Sequence, residues 1–392
     1  MKIAFIGQKE IPATESGVEK YVENLAAGLA ERNHKVFAYV SKSNASKNIR
    51  EYKKFSLIQL PGVSNQRLNS ILYNGCATIH AMFQDFDVIH YQAPGPAALS
   101  ILLKIFKPRT AFLFTFHWQD HFILKTEFLT KAFLRLSIRA ACIMTDKTIT
   151  VSRVLEKFIK EKFSQKTKVI PSGVSISSTH EDYLLEDWGL KKNEYLLAVS
   201  RLNKSSGIQY LIAAYNKLEE KKKTNGKKLV IAGGGFYADD YINHLHLLAI
   251  GNPNIIFTGF QSGEALKQFF SHAYFLIHPS DSASFSSTLL EAMACGKAVL
   301  ASDIPEHLEP LGNNGFYFLK SNAQDLEEKL LRLINSPKII KEAGAKAREV
   351  IENNYRWEKI VEKIEAVYRE VIFSKMHNKI IFHNTYGKDA KI

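Results

Sequence analysis

The chain has 392 residues, 46% of them apolar, and a formal charge of +13 at pH 7. That length exceeds what one hydrophobic core ordinarily serves, so two domains are expected; no apolar run approaches the ~20 residues that span a bilayer. The basic excess suits nucleic acid, an anionic membrane face or phosphorylated substrates, but with no zinc-finger, RNP or helix-turn-helix signature no nucleic-acid partner is expected.

Taken in order, MKIAFIG reads as a first strand and not a signal core, because Gln8-Lys9-Glu10 follow the short apolar run at once. Ser16-Gly17-Val18-Glu19 then matches a capping box, and Val18, Tyr21, Val22, Leu25 and Leu29 recur at helical spacing. A strand at 36–41, a polar loop and a helix near 68–83 lead to a strand at 87–91 and a helix around 97–106. The apolar stretch 110–117 is the next strand. A helix at 121–142, a strand at 147–151, a helix at 152–163 and a strand at 168–170 complete the half. Such alternation predicts a doubly wound parallel sheet. Residues 171–193, richer in Ser, Asp and Glu, read as linker. The second half repeats the architecture, with strands at 195–200, 228–232, 255–258, 274–278 and 298–301. Helices at 325–335, 339–353 and 357–373 follow, and the basic tail from Ser374 is expected to be loosely ordered. The three cysteines, Cys76, Cys142 and Cys295, are scattered in apolar contexts and read as reduced packing residues in a reducing compartment.

The stretch from His278 to Glu309 carries the clearest chemistry. It reads as strand end, Ser/Asp loop, a helix from Thr288 to Cys295 opened by the capping box Thr288-x-x-Glu291, Gly296 as stop, and a further buried strand. In an open parallel sheet ligands bind outside the carboxyl ends of the strands. A helix N-terminus there offers free N–H groups and partial positive charge, so a phosphorylated ligand is expected at this stretch.

The stretches GQKEIPATESGVEKYVENLA, DVIHYQAPGP, FTFHWQD, DKTITVS, VIPSGV, AVSRLNKSSGIQYLI, LVIAGGG, IFTGF and HPSDSASFSSTLLEAMACGKAVLASDIPEH resemble those of family 4 glycosyltransferases. The resemblance runs from about Met1 to Arg369 and lies nearest a bacterial subgroup acting on cell-surface polysaccharide. It implies the GT-B fold: α/β, two facing Rossmann-like domains with a cleft between them. The expected boundaries are 1–172 for the acceptor domain, 173–355 for the donor domain, 356–373 for a helix returning to the first domain, and 374–392 for the tail. It implies a retaining transferase with a nucleoside-diphosphate-sugar donor, a cell-surface glycan or lipid-linked acceptor, and no metal or other cofactor. Asp85 and Asp87, which mimic a metal-binding Asp-x-Asp, flank a strand entry and are not read as ligands.

Carried over residue by residue, Arg201 matches the diphosphate-binding arginine, whose planar fork suits two phosphate oxygens. Glu291 matches the glutamate that holds the ribose, and His117 the histidine near the transferred sugar, with Trp118 and Asp120 beside it. Gly17 matches the second glycine of an N-terminal Gly-Gly pair. Gly233 and Gly234 are expected to let the backbone approach the nucleotide, with Gly259 and Phe260 near the base. Ser286, Ser287 and Thr288 form the anion-facing helix start.

Four departures fall among these positions. Ala283 stands where the family has a glutamate near the sugar, Ser206 where it has a phosphate-binding lysine, and Ser16 replaces the first glycine of the pair. Ser284-Phe285-Ser286 replaces a Gly-Phe-Gly. Asp281, two residues before Ala283, is a candidate substitute. A second reading follows: a pseudo-glycosyltransferase that binds nucleotide or stabilises a partner glycosyltransferase. Lys131, Arg135 and Arg139, spaced by four along the 121–142 helix with Phe128, Leu129, Phe133, Leu136 and Ile143 as apolar neighbours, suggest a peripheral place at the inner face of the cytoplasmic membrane.

Overall fold

The computed structural model describes the chain except residues 9, 14–16, 43–48, 62–65, 118–127, 236–238, 283–286 and 387–392. It divides into two compact units, Met1–Gly173 with Trp357–Ile392, and Val174–Arg356.

The first unit is built on an eight-stranded sheet: β1 (Lys2–Ile6), β2 (Lys35–Ser41), β3 (Glu51–Tyr52), β4 (Phe55–Leu60), β5 (Val88–Tyr91), β6 (Ala111–Phe116), β7 (Lys147–Thr150) and β8 (Lys168–Val169). The order across it is β3-β4-β2-β1-β5-β6-β7-β8. All pairs are parallel except the short β3–β4 ribbon. β5 and β6 are buried at every residue, as a parallel sheet covered on both faces requires. β3 and β4 escape the sequence reading because FSLIQL is short and mixed in polarity and follows a polar loop. β1 is central: the chain first builds outward through β2 and β4, then returns to add β5 on the other side.

The helices of this unit are α1 (Gly17–Glu31), α2 (Gln66–Met82), α3 (Pro94–Ala98), α4 (Ser100–Phe106), α5 (Phe128–Met144) and α6 (Arg153–Phe163). Ser152 caps α6, its Oγ accepting from the Leu155 N–H at 3.1 Å. Residues 121–127, assigned to the helix before α6 by sequence, lie outside the described residues.

The second unit carries β9 (Tyr195–Val199), β10 (Lys228–Ala232), β11 (Ile255–Gly259), β12 (Phe275–His278), β13 (Val299–Ser302) and β14 (Phe316–Phe318), ordered β11-β10-β9-β12-β13-β14 and parallel throughout. Its helices are α7 (Ile208–Glu220), α8 (Asp239–Ala249), α9 (Gly263–His272), α10 (Ser287–Ala294), α11 (Pro305–Leu311), α12 (Ala323–Ile334) and α13 (Pro337–Asn354). They cover both faces. Ile208, Leu211, Tyr215, Leu326 and Leu330 join one core, and Phe269, Phe270, Leu289, Met293 and Ile351 the other. Each such buried side chain contributes roughly 1.5–3 kcal/mol. The sequence reading did not contain α11 or the three-residue β14.

The last helix, α14 (Trp357–Tyr386), belongs to the first unit and packs along α1 and β6. Glu365 is clamped by Arg32 Nε and Arg369 Nη2, both at 2.6 Å. Burial alone would raise its carboxyl, but the two arginines bring it down to about 2. The tail expected to be loose from Ser374 instead continues the helix to Tyr386. Ser374 Oγ donates to the Glu370 carbonyl, and Lys375 Nζ reaches the Thr110 carbonyl at 2.7 Å and Asp146 at 2.8 Å. The cysteines are free, and Cys76 is exposed, contrary to its expected packing role.

Candidate functional site

Each sheet has a point where the strand order reverses, and there the loops after neighbouring strands diverge and leave room for a ligand. In the first unit it lies between β1 and β5, in the second between β9 and β12. Of the candidate donor-site residues that are described, Gly17 and His117 belong to the first unit and the others to the second.

In the second unit four strand-end loops are tied into one rim by main-chain hydrogen bonds. Leu202 N donates to the Gly234 carbonyl at 3.0 Å, Gly233 N to that of Gly259 at 2.8 Å, and Asp281 N to that of Ser205 at 2.9 Å. The rim thus brings together Arg201, Ser206, Gly233, Gly234, Gly259, Phe260 and Asp281. Arg201 is exposed directly after β9, and among the described residues no carboxylate pairs with it. Phe260 is exposed as well.

Ser206 is not turned outward. It is buried, and its Oγ donates to the Asn203 carbonyl at 2.7 Å inside the turn Lys204–Ser206. Gly207 follows with φ +70°, and a Cβ there would lie 1.9 Å from the Pro279 carbonyl oxygen. This close contact locks the β9 loop against the β12 loop. Gly233 has a similar cause. A Cβ on it would fall 1.8 Å from the Ser200 carbonyl oxygen, so the strand end itself requires that it lack a side chain. A Cβ on Gly234 would meet Phe260 at an ordinary 3.6 Å, and one on Gly259, at φ +70°, would meet nothing.

Asp281 does not hang free in solvent. Ser321 Oγ donates to its Oδ1 at 2.7 Å. Beneath this loop lies a pair of buried imidazoles that sequence patterning did not single out. His278 ends β12 and His307 lies on α11, their ring centroids 4.9 Å apart and nearly perpendicular. Ser302 Oγ gives its one proton to the Ser280 carbonyl. His307 Nδ1, at 3.0 and 3.1 Å from the two Ser302 oxygens, must therefore carry its own proton. Burial pushes His307 down to about 4, against a backbone hydrogen bond at Ser302, and holds His278 well below its ordinary range. A neutral, rigid floor thus supports Pro279-Ser280-Asp281.

The helix α10 starts at Ser287, one residue earlier than expected, so Thr288 lies inside its first turn and is not the cap of a Thr288-x-x-Glu291 box. Ser287 is exposed, Thr288 half-buried, and Glu291 half-buried one turn on. Ser286, Ala283, Ser284 and Phe285 lie outside the described residues, as do Ser16, Trp118 and Asp120.

In the first unit His117 follows β6 directly. Its Nε2 donates to Gln92 Oε1 at 2.9 Å, just after β5, and its ring meets the edge of Tyr21 with centroids 4.8 Å apart. Tyr21 in turn packs on Trp357 of α14. Burial lowers His117 to about 3, so at neutral pH it is an uncharged hydrogen-bonding group. Sequence reasoning missed Gln92, a fully buried polar residue at the turn after β5. The only signal was its place in HYQAPGP. Gly17 opens α1, and a Cβ there would meet nothing. Asp85 and Asp87 have separate partners: Asp85 accepts from Lys107 Nζ at 3.0 Å and Asp87 from the Lys2 N–H at 2.7 Å. Among the described residues no cluster of three or more His, Cys, Asp or Glu is placed to hold a metal ion.

Comparison with known proteins agrees with this geometry. Residues 184–357 match the model of glycosyl transferases group 1, and residues 16–178 that of glycosyltransferase family 4. An uncharacterised glycosyltransferase of Methanocaldococcus jannaschii is 28% identical over 364 residues, covering 91% of this chain and 95% of that protein. The alpha-monoglucosyldiacylglycerol synthase of Streptococcus pneumoniae is 24% identical over 343 residues, 82% of this chain and 76% of the relative. Among solved structures, Anabaena HepE in complex with UDP and glucose shares the fold with a TM-score of 0.74 at 19% identity, over 94% of this chain and 99% of that one. Two doubly wound units, ordered about their switch points as described, make this a GT-B fold, and the chain belongs to the family 4 glycosyltransferases.

Proposed function

We propose that the enzyme is a retaining glycosyltransferase that takes its sugar from a nucleoside-diphosphate-sugar and passes it to a cell-surface glycan or lipid-linked acceptor at the inner face of the cytoplasmic membrane. The observation that carries this reading is Arg201: an exposed guanidinium at the end of the central strand, beside the switch point. A permanent charge with a planar fork suits a diphosphate, and the start of α10 adds free N–H groups. The relative acting in diacylglycerol glycosylation and the fold neighbour solved with UDP and glucose support the same donor and acceptor classes.

In this reading the bond from the sugar C1 to the diphosphate oxygen breaks while the acceptor oxygen bonds C1 from the same face. The acceptor proton passes to a departing phosphate oxygen, so neither a protein base nor a metal is assigned. Arg201 stabilises the charge that grows on the leaving group, Glu291 holds the ribose hydroxyls, and neutral His117 serves the sugar as a hydrogen-bond partner.

The test is nucleoside diphosphate release by the purified protein across a panel of sugar nucleotides, with thermal shift as the binding readout. Turnover by the wild type that disappears in Arg201→Ala is expected. A wild type that binds sugar nucleotide but turns nothing over, beside an active Ala283→Glu/Ser206→Lys variant, would establish the impaired, partner-stabilising reading instead.

A further inference from the structure

Three helices of the first unit turn apolar side chains outward. On and just after α2, Leu72, Cys76, Ile79 and Phe83 recur at one-turn spacing and all are exposed, Phe83 by 77%. On α4 the exposed residues are Ile101, Leu102, Ile105 and Phe106, and on α5 they are Phe133, Leu136 and Ile143. α4 touches both α2 and α5, so the stripes adjoin. Each helix already buries another face in its own unit, through Tyr73 and Ala77, Leu103, and Ile138 and Ala141. An all-round apolar helix belongs in a core or against a partner, and an apolar surface this extensive marks an interaction site.

The charge pattern selects the partner. None of the three helices contains Asp or Glu. Arg135 and Arg139 stand exposed beside Leu136 and Ile143. The carboxylates at the margin are each paired, Asp85 with Lys107 and Asp146 with Lys104 and Lys375. A second copy of this chain, docked face to face, would bring like charges together, because a two-fold contact presents the same patch from both sides. An anionic surface with an apolar interior meets both requirements.

We infer that this three-helix face docks on an anionic lipid bilayer, its apolar side chains entering the acyl boundary and Arg135 and Arg139 lying at the level of the headgroup phosphates. The inference deepens the membrane-side location proposed above and rests on it, but its test needs no sugar transfer, so the donor reading and the docking reading fail separately.

The experiment is flotation of the full chain with vesicles of phosphatidylcholine alone or mixed with phosphatidylglycerol. The wild type is expected to float with the mixed vesicles. Ile105→Asp/Phe106→Asp is expected to lose at least about tenfold in partitioning, and Arg135→Gln/Arg139→Gln about tenfold on anionic vesicles. Leu247→Asp/Ile250→Asp, at exposed apolar positions of the second unit, is expected to change nothing. All the targeted side chains are exposed, and an unchanged thermal melt verifies the fold of each variant. No flotation of the wild type, undiminished flotation of Ile105→Asp/Phe106→Asp, or a concentration-dependent dimer that this variant abolishes would overturn the inference, the last in favour of a protein interface.

Discussion

The two switch points share a topology and differ in chemistry. In the first unit the loops after β5 and β6 hold neutral, buried groups: Gln92, His117 and the Tyr21 ring against it. In the second, the loop after β9 exposes a permanent charge, Arg201, on a rim where the Ser206 hydroxyl is tied to its own backbone and Asp281 accepts from Ser321. In the function proposed above, the first place would serve the hydroxyls of the sugar and the second the diphosphate. What separates them is a few residues at strand ends, consistent with function living in sites carried by a fold.

The contrast breaks most sharply at Arg201. Arg201→Ala is expected to lower kcat/KM by about 100–1,000-fold, the usual effect of losing a donor to a developing charge, with little change in thermal stability. Steady-state kinetics with the matched donor measures it. Next comes the rim itself. Gly207→Ala places a methyl against the Pro279 carbonyl at φ +70° and is expected to destabilise the protein by about 2–4 kcal/mol. Gly259→Ala, with the same φ but open space, should cost only about 1–2 kcal/mol; urea titration of both separates backbone strain from collision.

Acid tests both regions together. Burial holds His90 and His117 at about 3 and His307 at about 4, with His278 also far below its usual value. The unfolded chain then binds more protons than the folded one below the ordinary histidine pKa near 6.5. Stability is complete above that pH and is lost as pH falls toward 3–4, by up to about 1.4 kcal/mol per pH unit for each group. Melting temperatures stepped down from neutral pH check the slope. A flat profile would mean that the imidazoles are not closed off. A local change is expected from Gln92→Leu, which removes the acceptor of the His117 N–H and should cost about 1–3 kcal/mol for the unpaired buried group, with a rise in KM for the sugar donor.

Long apolar runs made most of the sheets legible. AFLFTF and YLLAV read as strands because both faces of a parallel sheet are covered, while Arg201 and His117 were singled out by the family resemblance of the motifs that follow them. FSLIQL was hidden because a short strand of mixed polarity resembles loop. The helix beyond Ser374 was hidden because Lys375 is held by Asp146 and a carbonyl far away in sequence, and a polar run carries no mark of such partners. Ser206 was read as a lost lysine, but its inward hydroxyl depends on a tight turn that spacing does not report. The His278–His307 pair was illegible for the same reason: the residues lie 29 apart on different elements and meet only across adjoining layers.

The return of α14 to the first unit has a consequence for synthesis. His90 Nδ1 meets the Tyr368 hydroxyl at 2.8 Å, and Arg32, just after α1, meets Glu365, so a buried imidazole of the N-terminal sheet and an exposed arginine beside α1 both find their partners late in the chain. A ribosome must finish all of Val174–Arg356 before supplying them, an interval of roughly 10–40 s at ordinary translation rates. The second unit, contiguous in the chain, can close first. The N-terminal sheet, though made earlier, is completed last.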